Sequence, residues 1–306
     1  MNLLSIRGGG SRFLIPALIL ITIQEKTGKP ISELFDYLSG CSAGSLLVTA
    51  ILISKDGKNP IYSAHEVYDL FLKHIRNSFT WTWWYYMSTG FGLFGSKYTS
   101  NGLQNIVTET CQDMTMKHLL KPVIFPAYDR VKNRPFYFDR SHADVKIVDC
   151  IMATTAIPTY FQSHKMTIDD QLHDFLDSAL VTNDASNLVL LKATSITPID
   201  KSKIILLNLG TGKFPNKTCE SNGLLSWASN IVDVLVTGSE YNETYQVSLS
   251  LPEDNHYILD IPLDKAYAPD DISEATIQYY IKTTEKWIED NNALLDTICH
   301  KLLSNI

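Results

Sequence analysis

Gly40-Cys41-Ser42-Ala43-Gly44 is a G-x-S-x-G pattern, and it follows closely on the triple glycine Gly8-Gly9-Gly10. A serine held on a sharp strand-to-helix turn has a strained backbone, and such a turn closes only if the residues two positions to either side are small. Gly40 and Gly44 supply that room. The pattern therefore predicts a strand entering Ser42 and a helix leaving it. Leu3 to Ile6 reads as a short buried strand, the three glycines as a loop, and Leu14 to Glu25 as an apolar helix. Phe35 to Ser39, the turn at Ser42 and the apolar run Ser45 to Ile53 repeat that order. Two such units in succession imply an α/β fold, with a mostly parallel central sheet covered by helices on both faces in three layers.

Further along, Ser63-Ala64-His65-Glu66 reads as a capping box that opens a helix through Val67, Leu70, Phe71 and Ile75. Pro122 to Tyr128 and Pro135 to Phe138 read as neighbouring strands around the polar turn Asp129 to Arg134. Val145 to Thr154 looks helical and stops before Pro158. Ile204 to Leu209 is another buried strand, running into Gly210-Thr211-Gly212, and Ser273 to Leu295 is predicted as one terminal amphipathic helix. Phe79 to Phe94, which holds Trp81, Trp83 and Trp84, reads as an aromatic lid or core segment, or as a surface for lipid. With 306 residues, 45% hydrophobic content and no linker-like stretch, a single domain over 1–306 is expected.

Composition narrows the function classes. A formal charge of -7 argues against a nucleic-acid partner, because phosphate binding needs a concentrated basic surface. The five cysteines, Cys41, Cys111, Cys150, Cys219 and Cys299, have no zinc-site or disulfide spacing, so reduced thiols in a cytoplasmic compartment and no metal are expected. The first residues lack the charged and apolar regions of a signal peptide. No run of about 18 apolar residues suggests a membrane span, so any membrane contact is expected to be peripheral.

A serine hydroxyl becomes a nucleophile when a base takes its proton, and its attack on an ester creates an oxyanion that needs pointed N–H donors. The backbone of Gly8, Gly9 and Gly10 can approach a substrate closely, and the helices after the loop and after Ser42 bring their positive ends to the same place. One such donor contributes roughly 3 kcal/mol. The base is less obvious. A triad of the α/β-hydrolase type wants an acid and then a late histidine, which leaves His256 or His300, yet Ser42 follows only about two strands instead of several.

These residues resemble the patatin-like phospholipase family, read as of bacterial type, over nearly the whole chain. Arg7-Gly8-Gly9-Gly10-Ser11-Arg12-Phe13 is similar to its opening D-G-G-G-x-R-G, and Phe35 to Gly44 resembles its elbow. Ala153-Thr154-Thr155-Ala156-Ile157-Pro158-Thr159-Tyr160-Phe161 is similar to A-T-S-A-A-P-T-Y-F. Phe175 to Asp184 aligns with the segment that holds the family's catalytic aspartate, and Leu207 to Gly212 resembles its S-x-G-T-G strand end.

The resemblance implies a Ser-Asp dyad of Ser42 and Asp177 without histidine, an oxyanion hole at Gly8, Gly9 and Gly10, and a supporting role for Arg12. It also implies hydrolysis of fatty-acyl esters of phospholipids through an acyl-enzyme, with no cofactor. A free aspartate is too weak a base, so the site must raise the pKa of Asp177 by desolvation. Asp174 is its nearest rival, and Asp184 reads as a loop residue. Three positions depart from the family pattern: Arg7 for aspartate, and Phe13 and Ser178 for glycine. Phe13 is expected to shift the loop or pack on the first helix, and Ser178 to alter the Asp177 backbone if positive φ is needed there. A catalytically silent lipid- or partner-binding module of the same fold is the alternative. The acidic surface disfavours strong binding to anionic membrane without help, which leaves room for an activating protein partner, and the N-terminal sequence fits either a cytoplasmic protein or one exported without a cleavable signal peptide.

Overall fold

Alternate residues of the first strand enter two different apolar cores. In β1 (Asn2–Ile6), Leu4 and Ile6 pack into one cluster and Leu3 into another, and every residue of the strand is buried. β7 (Ile205–Leu209) behaves likewise, with Leu207 and Leu209 on one side and Leu206 on the other. Strands covered on both faces read as continuous apolar runs, and burying each such side chain contributes roughly 1.5–3 kcal/mol. The chain therefore folds as helices, sheet and helices, as its sequence predicts.

The computed structural model describes residues 1–78, 96–214 and 224–306. The aromatic run Phe79 to Phe94, expected as a lid or core segment, and Cys219 lie outside the described residues. The remaining strands are β2 (Tyr37–Gly40), β3 (Val123–Asp129), β4 (Arg134–Phe138), β5 (His164–Ile168), β6 (Gln171–Leu176) and β8 (His256–Leu259). They form a sheet of order β5-β6-β3-β2-β1-β7-β8, with β4 paired to β3. The neighbours from β3 through β2, β1 and β7 to β8 are parallel, and β4, β5 and β6 add antiparallel pairs.

Chain order runs from β1 outward to β2 and β3 and later returns to the other side of β1 with β7. That reversal puts a topological switch point between β1 and β7, and ligands of open α/β sheets bind beside the carboxyl ends of the strands there. Ile6, Gly40 and Leu209 share one row of the sheet, so the glycine loop, the serine elbow and the Gly210-Thr211-Gly212 turn leave it side by side.

Helices α1 (Leu14–Thr27), α2 (Ile31–Leu34), α3 (Ala43–Leu52), α4 (Ala64–Ser78), α5 (Asn101–Cys111) and α6 (Ile147–Thr154) contribute to the first core. On the other face, α7 (Ser186–Ile196) supplies Val189, Leu190 and Ala193, and α8 (Leu224–Ser248) supplies Val247. One expectation needs correction. The predicted terminal helix is two helices, α9 (Glu274–Asp290) and α10 (Asn292–Ser304), separated at Asn291, whose φ of -113° is not helical. The apolar periodicity continues through the break, because Leu295, Ile298 and Leu302 remain buried. The Asn2 amide donates to the Leu34 and Leu302 carbonyls at 2.8 and 2.9 Å, tying the first strand to this last helix.

Candidate active site

β2 delivers the chain to Gly40, and α3 begins at Ala43, leaving Ser42 between them with φ 48° and ψ -123°. This is left-handed backbone for a serine, and strain of this kind costs on the order of 1–3 kcal/mol. The flanking glycines make it possible. A Cβ on Gly40 would lie 2.5 Å from the Ser45 nitrogen, and one on Gly44 would lie under 3.0 Å from the Ile6 carbonyl. Strand-end backbone and helix backbone thus touch where any side chain would separate them.

Asp177 follows directly from β6 and caps a short 3-10 turn, Ser178–Leu180. Its Oδ2 accepts the Ser42 hydroxyl at 2.8 Å, and its Oδ1 accepts the Ala179 N–H at 2.7 Å and the Ser178 hydroxyl at 3.3 Å. The Asp177 N–H donates to the Ala156 carbonyl at 3.0 Å, so the run that resembles A-T-S-A-A-P-T-Y-F fixes the aspartate from behind. Ser178 has no positive φ, so the freedom of glycine is not needed there and Asp177 keeps an ordinary extended backbone. Phe13 packs edge-on against Phe71 of α4 at 5.1 Å between ring centres, which anchors the start of α1.

Asp177 is wholly buried. Burial pushes its carboxyl up to about 6, against the pull of its three hydrogen-bond donors. A carboxylate so raised is a far better base at neutral pH than a free aspartate. Among the described residues no histidine is bonded to Ser42 or Asp177. His173 pairs with Asp129 at 2.6 Å, His300 lies on an exposed helix face, and His256 is partly buried with its pKa lowered by desolvation. Asp174 is bound by Arg130 instead.

The glycine loop lies against the elbow, where a Cβ on Gly8 would stand 3.0 Å from the Ser42 Cβ. Gly10 has φ 57° and sits against the Pro269 carbonyl, which accepts the Ser11 N–H at 2.8 Å. Among the described residues the N–H groups of Gly8, Gly9, Gly10 and Ala43 donate to no protein acceptor. The Ala43 N–H, at the positive end of α3, was not singled out from the sequence, although it follows the nucleophile position directly. Arg12 donates to the Gly9 and Gly212 carbonyls, each at 3.3 Å, and lies over the Phe214 ring at 5.0 Å. Burial lowers its pKa. Its contacts bridge the glycine loop to the turn after β7.

Sequence reasoning missed a buried ionic group behind the loop. Arg7 pairs with Asp184 at 2.8 Å and Asp260 at 2.9 Å, with Glu240 at 3.6 Å. Burial works against the Arg7 charge, and the three carboxylates together outweigh it. Asp184 lies in a loop, as expected, but it is fully buried and also accepts from the Asn208 amide at 2.6 Å and the Ser186 N–H at 2.9 Å. The signal available in the sequence was Arg7 itself, a cation placed among glycines where the similar family carries an acid.

The family model described as Patatin-like phospholipase matches residues 4–186. "Patatin-like protein 4" of Arabidopsis thaliana is 24% identical over 98% of this chain and 87% of its own length. "Probable inactive patatin-3-Kuras 1" of Solanum tuberosum is 26% identical over 84% of this chain and 77% of its own length. Among solved structures, VipD from Legionella pneumophila is similar at a TM-score of 0.42, with 10% identity, over 94% of this chain and 67% of that one.

Proposed function

Because the chain belongs to the patatin-like phospholipase family, we propose that it is a lipid acyl hydrolase working through a Ser42–Asp177 dyad. The observation that carries this reading is the 2.8 Å hydrogen bond from Ser42 to a buried carboxylate whose pKa stands at about 6. Asp177 takes the Ser42 proton as Oγ attacks the acyl carbonyl carbon. The developing oxyanion is met by N–H groups of the Gly8–Gly10 loop, with Arg12 supporting that loop, and by the positive end of α3. Collapse of the tetrahedral intermediate expels the alcohol half of the lipid, which leaves with the proton from Asp177. Water, deprotonated by the same carboxylate, then attacks the acyl-Ser42 ester, and the fatty acid is released as Asp177 returns that proton to the departing Ser42 oxygen.

The substrate of this reading is a phospholipid or other acyl lipid presented at a membrane surface, with the cleavage type that of a phospholipase A or lysophospholipase. None of the described helices is long and apolar enough to cross a membrane, and an acidic chain of net charge -7 reaches anionic lipid only through local contacts. The potato relative named as inactive makes a silent fold the second reading. The intact Ser42 to Asp177 bond favours hydrolysis, because the strained elbow and buried acid cost stability without serving a purely structural role. Release of fatty acid from phospholipid vesicles by wild type, compared with Ser42→Ala, tests the proposal.

A further inference from the structure

Two side chains from distant parts of the chain hold one carbonyl of the glycine loop. The Gly8 oxygen accepts the Thr211 hydroxyl at 2.9 Å and the Asn183 side-chain amide at 3.2 Å, which occupies both of its lone pairs. Thr211 and Asn183 are each only 5% exposed. In a trans peptide the carbonyl of one residue and the N–H of the next point in opposite directions. Fixing the Gly8 oxygen therefore fixes the Gly9 N–H, which lies in the same peptide plane on the opposite side of the C–N bond. That plane lies between two glycines, where rotation meets no side-chain barrier. A rotated plane would present a carbonyl where a donor is required.

The clamp is itself fixed from two directions. The second N–H of the Asn183 amide goes to Glu240 at 2.6 Å, so the amide nitrogen is the atom that meets the Gly8 carbonyl, while its oxygen lies where a Gly8 Cβ would be. Glu240 stands beside Arg7. Arg7 also holds Asp260, whose other oxygen accepts the Gly212 N–H at 2.9 Å, one residue beyond Thr211. A Cβ on Gly9 would lie under 3.0 Å from the Thr211 hydroxyl, so loop and clamp fit only as they are.

We infer that Thr211 and Asn183 are positioning residues that hold the Gly8–Gly9 peptide in its oxyanion-binding orientation, with Arg7 bracing both through Glu240 and Asp260. The inference rests on the acyl-hydrolase reading. It separates transition-state stabilisation from substrate binding, because a misdirected donor is missed only once negative charge develops.

Thr211→Val keeps the shape and removes the hydroxyl, whereas Thr211→Ser keeps the hydroxyl. Each is assayed on a p-nitrophenyl acyl ester and for Ser42 labelling by a fluorophosphonate, whose phosphoryl oxygen occupies the same donor site. Thr211→Val should lose about 10-fold or more in kcat and labelling rate, up to the roughly 10²–10³-fold that removing a whole oxyanion donor costs. KM and the pH at which activity is half-maximal should not move, and Thr211→Ser should retain most of the rate. Thermal melts establish that each variant is folded, and Thr211→Ala replaces Thr211→Val if the latter aggregates. An active wild type with an unimpaired Thr211→Val, or a Thr211→Ser as poor as Thr211→Val, overturns the clamp alone. A wild type that neither hydrolyses the ester nor labels at Ser42 overturns the hydrolase reading and the clamp with it.

Discussion

The Ser42 hydroxyl donates to Oδ2 of Asp177 at 2.8 Å, joining residues 135 apart in the chain with no imidazole between them. The contact rests on rigid supports on both sides. Ser42 is caught between the end of β2 and the start of α3, and Asp177 between β6 and a 3-10 turn. Neither side chain has to be recruited from a loop of its own, so the pair is held ready without substrate.

Activity should titrate with Asp177. The base must be ionised to accept the Ser42 proton, so kcat/KM on a soluble ester is expected to rise about tenfold per pH unit below pH 6. It should then level off above that value. Lipid filling the site removes more water and should move the kcat limb higher than the kcat/KM limb. A stopped assay across pH 4.5 to 8 checks this.

Stability should run the opposite way. The folded protein keeps the Asp177 proton up to about pH 6, while an unfolded chain keeps it only up to about pH 3.9. Between those values folding binds a proton, so the stabilisation is complete below pH 3.9 and is lost as pH rises through 6. The loss amounts to about 3 kcal/mol. Asp177→Asn, which carries no charge, should therefore melt higher than wild type at pH 8, with the gap closing toward pH 4.5. Calorimetric melts at the two pH values provide the comparison.

Two glycines should respond in opposite senses to alanine. Gly44→Ala drives a methyl into the Ile6 carbonyl, backbone against backbone, and should cost about 1–3 kcal/mol or more. Gly238, inside α8, has open space where its Cβ would go. Gly238→Ala should stabilise by about 0.5–1 kcal/mol. Urea unfolding of both variants measures the contrast.

Arg12 bridges Gly9 and Gly212 through carbonyl contacts. Arg12→Lys, which cannot span both carbonyls with a planar fork, should therefore lower kcat on a neutral ester and on a phospholipid by the same factor. A loss confined to the phospholipid would assign the guanidinium to the lipid phosphate instead.

How much of this was legible beforehand follows from the kind of constraint involved. The elbow and the glycine loop are dictated by local steric demands, and these leave local marks: Gly40 and Gly44 each sit where a Cβ would strike backbone. Asp177 was implied by the resemblance of Phe175 to Asp184 to the family segment, and no local steric mark of its own pointed to it. For the Arg7 cluster the only mark was Arg7 itself, and its partners were hidden because Asp184 and Asp260 lie 177 and 253 residues away along the chain. Likewise Thr211 and Asn183 approach Gly8 across separations of 203 and 175 residues. The break at Asn291 was hidden because both helices bury the same apolar face, and periodicity reports the face and not the join. The tight turn between β5 and β6 uses Asp169 and Asp170, both at positive φ, where glycine or asparagine would have been the clearer signal.

The dyad is tested most directly by fatty-acid release from phospholipid vesicles at pH 7.5, measured in parallel for wild type, Ser42→Ala and Asp177→Asn, with folding verified by melts. The account predicts release by wild type and a loss of at least about 10³-fold in each variant, the scale of removing a nucleophile or its base. Equal release by all three proteins would contradict it.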